Sequence, residues 1–365
     1  MAKIVSVVGG RPQFIKEAIT GRSIRKFHQE MLVHTGQHYD VELSENLFRE
    51  LGIIEPAYNL GVGSGSHAVQ TAKVMIEMEK VLLKEKPDLM LVYGDMNTTM
   101  GAAITAAKMN VPVAHIEAGA RIHVFDMPEE QNRIVTDHLS TWNFACTMDD
   151  YQHLFSENLG STAVYVGDVM YDAVQHYLPK VQCMESKIWG TLQLYREKKL
   201  PLREWGFSTV HRPENTDNIQ DLDVILQALH ALPYPVVFAV HPRIKEKVEL
   251  LLKDNSYENI VFVKPVSYLQ SLYLAGNARV VVTDSGGLQR ESYWMKTPCV
   301  VILRNLVDAH MRNGNCLVQA KKTTADILEK VLDTKVDTTA YDFTPYGEGR
   351  ACEKIAKMLL LERSR

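Results

Sequence analysis

This 365-residue chain is poor in cysteine, and what little it has is scattered. Its five cysteines (Cys146, Cys183, Cys299, Cys316 and Cys352) include no C-x-x-C pair. A disulfide framework and a zinc ribbon are therefore not expected, and a reducing cytoplasm suits the composition. The chain has no strong excess of either charge, with a net charge of -4. Nothing in that balance favours nucleic acid or an anionic membrane surface as partner. No apolar run reaches membrane-spanning length, and the first one, Ile4-Val5-Ser6-Val7-Val8, is too short for a signal segment. What remains is an ordinary globular balance of 46% hydrophobic and 23% charged residues, on a chain long enough for two domains.

Short β-rich apolar runs alternate with segments of helical period. Strands are expected at residues 3–8, 31–34, 88–93, 112–116 and 142–145, then at 206–210, 235–240, 260–263, 279–283 and 298–302. Helical patterns lie between them, as at 69–83, 97–109, 218–232 and 244–252. That alternation predicts an α/β chain of two Rossmann-like, doubly wound domains facing across a cleft, with ligands at the carboxyl ends of the strands. The pattern is weakest over residues 175–204, where Arg196-Glu197-Lys198-Lys199 lies. The domain change is placed near there, giving an N-terminal domain of residues 1–170 and a C-terminal one of 171–349.

The motif with most chemistry in it is Thr283-Asp284-Ser285-Gly286-Gly287-Leu288-Gln289-Arg290-Glu291. A buried run ends at a small-residue turn, and a helix follows at once. Two glycines let an anion approach the backbone, and free N–H groups and the helix dipole favour negative charge there. Ser285 can donate from its hydroxyl, and Glu291 could accept the hydroxyls of a ribose. Alone, Asp-Ser-Gly-Gly reads first as an ordinary helix cap with a tight turn.

Other strand ends carry polar groups too. After the first strand comes Gly9-Gly10-Arg11-Pro12-Gln13-Phe14-Ile15-Lys16. It lacks G-x-G-x-x-G, so bound NAD is not expected at this turn. Its two cations, Arg11 and Lys16, suit a diphosphate as well as an ordinary solvated pair. Asp95, in Gly94-Asp95-Met96-Asn97, could be a catalytic carboxylate or the cap of the next helix. Glu117, in His115-Ile116-Glu117-Ala118-Gly119, ends a buried run where a carboxylate must be paired or used, and Arg121 is the nearby candidate partner. Met127-Pro128-Glu129-Glu130-Gln131-Asn132-Arg133 reads as a helix start with acids in its first turn. Crowded carboxylates such as Asp95, Glu117 and Glu129 raise one another's pKa, which gives one fold an acid and a base near neutral pH. The second half adds His211-Arg212-Pro213-Glu214-Asn215 and His241-Pro242-Arg243 at strand ends. His115, His138, His211 and His241 lack paired metal-ligand spacing, so no metal site is expected.

Together these motifs resemble the non-hydrolysing UDP-N-acetylglucosamine 2-epimerases, a bacterial and archaeal family of GT-B fold. The resemblance covers nearly the whole chain. It also includes His34-Thr35-Gly36-Gln37-His38 and Pro345-Tyr346-Gly347-Glu348-Gly349. Gly-Arg-Pro-Gln-Phe-Ile-Lys, Met-Pro-Glu-Glu and His-Pro-Arg are most similar to members that also act on 2,3-diacetamido sugar nucleotides. The resemblance implies elimination of UDP across C1–C2 to a glycal, then re-addition, without a redox cofactor. It implies Asp95, Glu117 and Glu129 as the acid–base set, with His211 as a fourth catalytic residue. Arg11, His211, Ser285, Gly286 and Gly287 would hold the diphosphate and Glu291 the ribose. Lys16, Asn132, Arg133, His241 and Ser271 would complete the substrate pocket. A helix near 350–361 would return to the first domain, and a cytoplasmic homodimer is implied.

The chain departs from the family's pattern at residues 305–314, at 121–126 and at Met96-Asn97. The carboxylates persist, so the reaction class is kept and the sugar left open: UDP-N-acetylglucosamine or a modified relative. A hydrolysing epimerase releasing free sugar and UDP, a GT-B glycosyltransferase and a non-catalytic UDP-sugar sensor remain alternatives.

Overall fold

The computed structural model describes residues 1–36, 41–184, 188–194, 204–303, 310–334 and 339–360. Gln37 and His38, the charged run at 196–199, and residues 305–309 of the divergent segment lie outside the described residues.

The chain forms two compact units. One comprises Met1–His176 together with the segment from Phe343, and the other Tyr177–Asp342. The first holds strands β1 (Lys3–Val8), β2 (Gln29–His34), β3 (Tyr58–Asn59), β4 (Leu89–Tyr93), β5 (Val113–Ala118), β6 (Trp142–Ala145) and β7 (Ala163–Tyr165). They form one sheet in the order β3-β2-β1-β4-β5-β6-β7. The second holds β8 (Gly206–Thr209), β9 (Val236–Ala239), β10 (Ile260–Val263), β11 (Val281–Thr283), β12 (Cys299–Val301) and β13 (Leu317–Gln319), in the order β10-β9-β8-β11-β12-β13. Every ladder between these strands is parallel.

Parallel strands covered on both faces are largely apolar, and β4, β6, β9 and β10 are buried at every residue. Both sheets reverse their winding after the first strand, between β1 and β4 and between β8 and β11. That reversal opens a crevice at the strands' carboxyl ends, where ligands of doubly wound sheets bind. The ten expected strands form, with ends shifted by at most two residues. The two-residue β3 and three-residue β7 and β13 were not expected, being too short to show a period. Among the described residues, no helix is long and apolar enough to cross a membrane.

Beneath the first sheet, the helix Arg11–Ile24 buries Glu17 beside Glu30 of β2. Arg25 Nη1 lies 2.5 Å from Glu30 and 3.5 Å from Glu17, and Ser6 Oγ donates to Glu30 at 2.5 Å. Burial, reinforced by the Glu30 charge and opposed by Arg25, raises the Glu17 carboxyl from its usual 4.5 to about 8. The folded chain thus keeps a proton that the unfolded chain sheds above its usual value. This contribution to stability is full in acid and is lost as pH rises through about 8. The urea midpoint of the parent chain should fall between about pH 5 and pH 9 more steeply than that of E17Q. Equal slopes would contradict this assignment. Against the same helix packs Ala351–Met358, where His28 Nε2 donates to the Ala356 carbonyl at 3.1 Å and Asp172 accepts from Cys352 N–H at 2.8 Å.

Candidate active site

In the first unit, the motifs meet at the ends of β1, β4 and β5. Gly94 follows β4 with φ of +62°, and its N–H donates to the Ile116 carbonyl at 2.9 Å. A Cβ on Gly94 would lie 3.2 Å from Lys16 Nζ and 3.3 Å from Glu117 Oε2. Glycine there leaves room for the ion pair between those two side chains. Glu117 itself has φ of +72°, and the β5–β6 register shifts between Ile116 and Ala118. A non-glycine residue in the left-handed region costs about 1–2 kcal/mol, a strain typical of functional positions. The bulge re-aims the Glu117 carboxylate at the strand end.

Arg121 is not the partner of Glu117. Its guanidinium lies 2.8 Å from Asp137 and donates to both oxygens of Glu157 at 2.8 Å. Lys16, expected in the substrate pocket, is buried and pairs with Glu117. Asp95 is not a helix cap, since the cap of Asn97–Lys108 is Met96. Its carboxylate instead accepts from Arg133 Nη2 at 2.5 Å, and its carbonyl from Asn132 Nδ2 at 2.8 Å. Arg133 is held in turn by buried Glu130 at 2.8 Å, which also accepts the His123 N–H at 2.9 Å. The helix Pro128–Leu139 thus fixes Asp95 through Asn132 and Arg133, with Glu129 exposed on its first turn. Arg11 is exposed at the first position of its helix.

Two layers below support this arrangement. Gln13 accepts the Gly9 N–H at 2.6 Å and donates to the Tyr93 carbonyl at 2.7 Å, tying the ends of β1 and β4. Buried His115 reaches the Gly94 carbonyl through Nε2 at 2.7 Å and Asp137 through Nδ1 at 2.6 Å. Asp137 also accepts the Gly119 N–H at 3.1 Å. Gln13 and Asp137 were not singled out from sequence. Their type and position resemble any polar residue on a helix, and only the fold reveals their partners.

In the second unit, the loops after β8 and β11 are joined by Asp284. Its buried carboxylate accepts the N–H groups of His211 (3.0 Å) and Arg212 (2.9 Å) and the Asn215 amide (3.0 Å). Arg212 Nε donates to the Asp284 carbonyl at 3.0 Å. Ser285 caps the helix Gly286–Trp294, accepting the Leu288 N–H at 3.3 Å, and its hydroxyl proton remains available to a ligand. Cap and anion-site readings of this motif are therefore compatible. Neither Gly286 nor Gly287 has positive φ, and a Cβ on either would meet nothing closer than 3.7 Å. The chain itself does not require glycine there. Glu291 is buried on the same helix, with Oε1 3.9 Å from a Cβ placed on Gly287. The His211 and His241 rings stack with centroids 5.0 Å apart. Ser271 is buried on the helix Tyr268–Gly276. Among the described residues, no group of three or more His, Cys, Asp and Glu side chains could hold a metal ion.

Residues 22–360 match the model of the UDP-N-acetylglucosamine 2-epimerase family. The chain belongs to this family. A UDP-N-acetylglucosamine 2-epimerase homolog of Methanococcus maripaludis is 41% identical over 98% of this chain and 99% of its own length. The UDP-2,3-diacetamido-2,3-dideoxy-D-glucuronate 2-epimerase of Pseudomonas aeruginosa is 36% identical over 98% of this chain and 99% of its own length. The crystal structure of Methanocaldococcus jannaschii UDP-GlcNAc 2-epimerase, in complex with UDP-GlcNAc and UDP, superposes with a TM-score of 0.87. It is 32% identical and covers 98% of this chain and 99% of that one. As a member of the family the chain is an isomerase, and its two Rossmann-like units are those of the GT-B fold.

Proposed function

We propose that this epimerase interconverts a UDP-N-acetylhexosamine and its C2 epimer without net hydrolysis, with UDP-N-acetylglucosamine or a 2,3-diacetamido relative as substrate. The observation that carries the proposal is the Glu117 carboxylate, held in a left-handed conformation against Lys16 beside the Asp95–Arg133 pair. The C2 hydrogen of such a sugar has no neighbouring carbonyl, so direct proton exchange is out of reach. Elimination avoids this. A carboxylate takes the C2 proton, the C1–O bond breaks with its electron pair leaving on UDP, and a C1–C2 double bond forms. Protonation at C2 from the opposite face, with re-addition of the diphosphate oxygen at C1, completes the epimerisation.

We assign the proton transfers to Asp95, Glu117 and Glu129. The diphosphate falls to Arg11, His211, Ser285, Gly286 and Gly287, and the ribose to Glu291. Lys16 and Arg133 serve by fixing Glu117 and Asp95, while Asn132, His241 and Ser271 complete the pocket. The expected setting is a cytoplasmic homodimer. Exposed Val69, Ile76 and Leu83, seven residues apart on the helix His67–Glu85, form an apolar stripe that suits a second copy and that light scattering can check.

Proton NMR at C1 and C2 across a panel of UDP-hexosamines tests the function. A new C2 epimer with the UDP linkage intact is expected. Stoichiometric UDP and free sugar would instead identify a hydrolysing epimerase, and binding without turnover a sensor. Because a Cβ fits at Gly286, G286A should fold with unchanged or slightly higher thermal stability, yet lose UDP affinity by about tenfold or more. Calorimetric titration with UDP reads this directly, and undiminished affinity would remove Gly286 from the diphosphate site.

A further inference from the structure

Asp284 places a fully buried carboxylate directly behind the loop that carries His211. Uncharged donors fix it from three sides: the His211 and Arg212 N–H groups and the Asn215 amide. The Arg212 guanidinium clamps its carbonyl, so the carboxylate cannot turn away without breaking several hydrogen bonds. The titratable side chain that meets it is His211, whose Nδ1 lies 3.3 Å from Oδ1 while the ring is about a third exposed. The plane of that ring is set by stacking on His241 at an interplanar angle of 26°. His241 Nδ1 accepts the Arg243 N–H at 3.2 Å, which fixes the partner ring in turn.

We propose that Asp284 is a positioning residue for His211, holding the imidazole with its Nδ1–H directed at the buried carboxylate and Nε2 presented to the leaving diphosphate. The proposal rests on the epimerase reading and deepens it. A carboxylate accepts but cannot donate, so the neutral ring beside it must carry its proton on Nδ1. When the ring is doubly protonated, Asp284 balances its charge and Nε2–H donates to a diphosphate oxygen as the C1–O bond breaks. The same logic orients the histidine of the serine-protease triad, where an aspartate selects the tautomer.

The decisive test uses the unliganded parent chain, with 15N-labelled histidine and the His211 signals assigned by comparison with H211Q. Protonated Nδ1 is expected, and a neutral ring protonated only at Nε2 overturns the proposal. In D284N the asparagine amide can donate to Nδ1, so the opposite tautomer should appear, and with no buried carboxylate to balance a second proton on the ring kcat should fall about 10²-fold or more. The D284N/H211Q double variant should be no slower than the slower single variant, because both changes remove one function. Losses that multiply would show that Asp284 acts independently of His211 and overturn the proposal. If D284N fails to fold, the parent-chain spectrum still decides. A parent chain that epimerises no UDP-hexosamine would contradict the function instead, and leave the ring-nitrogen result to be judged separately.

Discussion

E117Q is expected to reduce turnover by about 10²–10⁴-fold while leaving calorimetric UDP binding in place. Glutamine matches glutamate in shape, so the bulged end of β5 keeps its form. What it lacks is the ability to take or return the C2 proton. The same change strips buried Lys16 of the charge that faces it. Breaking one side of such a buried pair costs about 3–5 kcal/mol, which would by itself lower apparent activity. A second variant, K16M/E117Q, separates the two effects. Methionine fills the lysine stem's space without a charge, so stability should recover while turnover stays low. Activity preserved in folded E117Q would remove Glu117 from the acid–base set.

D137A should bring the largest loss of stability, about 3–5 kcal/mol, seen as an earlier urea midpoint. Asp137 is fully buried and joins His115, Arg121 and the Gly119 N–H, so its removal leaves a guanidinium and an imidazole buried with no carboxylate between them. Burial alone would push its carboxyl up. The hydrogen bond and charge of His115, with Arg121 beside it, outweigh burial and hold it below its usual 3.8. A depressed acid stabilises the fold above its unfolded value and loses that contribution as pH falls through the folded one. The parent chain should therefore lose stability below about pH 4 more steeply than D137N. A midpoint unchanged in D137A would show that the strand-end turns are held by something else.

Much of this architecture was legible in the sequence because it depends on local pattern. Apolar runs mark β1, β4 and β11, and helical spacing marks segments such as 97–109. The turns between them carry Gly-Arg-Pro, Gly-Asp and Asp-Ser-Gly-Gly where doubly wound sheets bind ligands. The partners of the polar residues were not legible. Glu117 meets Lys16 across 101 residues, and Asp284 meets His211 across 73. Arg121 is the nearer cation to Glu117 by chain distance alone, yet the helix Pro128–Leu139 brings Asp137 to it instead. The positive φ of Glu117 is equally hidden, since nothing in Ile-Glu-Ala forecasts a bulge. The divergent segment runs into a short 3₁₀ helix, His310–Asn315, a form that its sequence does not announce.

The central claim is that the C2 proton leaves the sugar during turnover. Incubating the chain with UDP-N-acetylglucosamine in heavy water, and with the 2,3-diacetamido sugar nucleotide where the former is not turned over, tests it most directly. Deuterium at C2 of both epimers, with the UDP linkage restored, is the result predicted here. Epimerised sugar that retains its original C2 hydrogen would contradict the elimination route and the roles given to Asp95, Glu117 and Glu129.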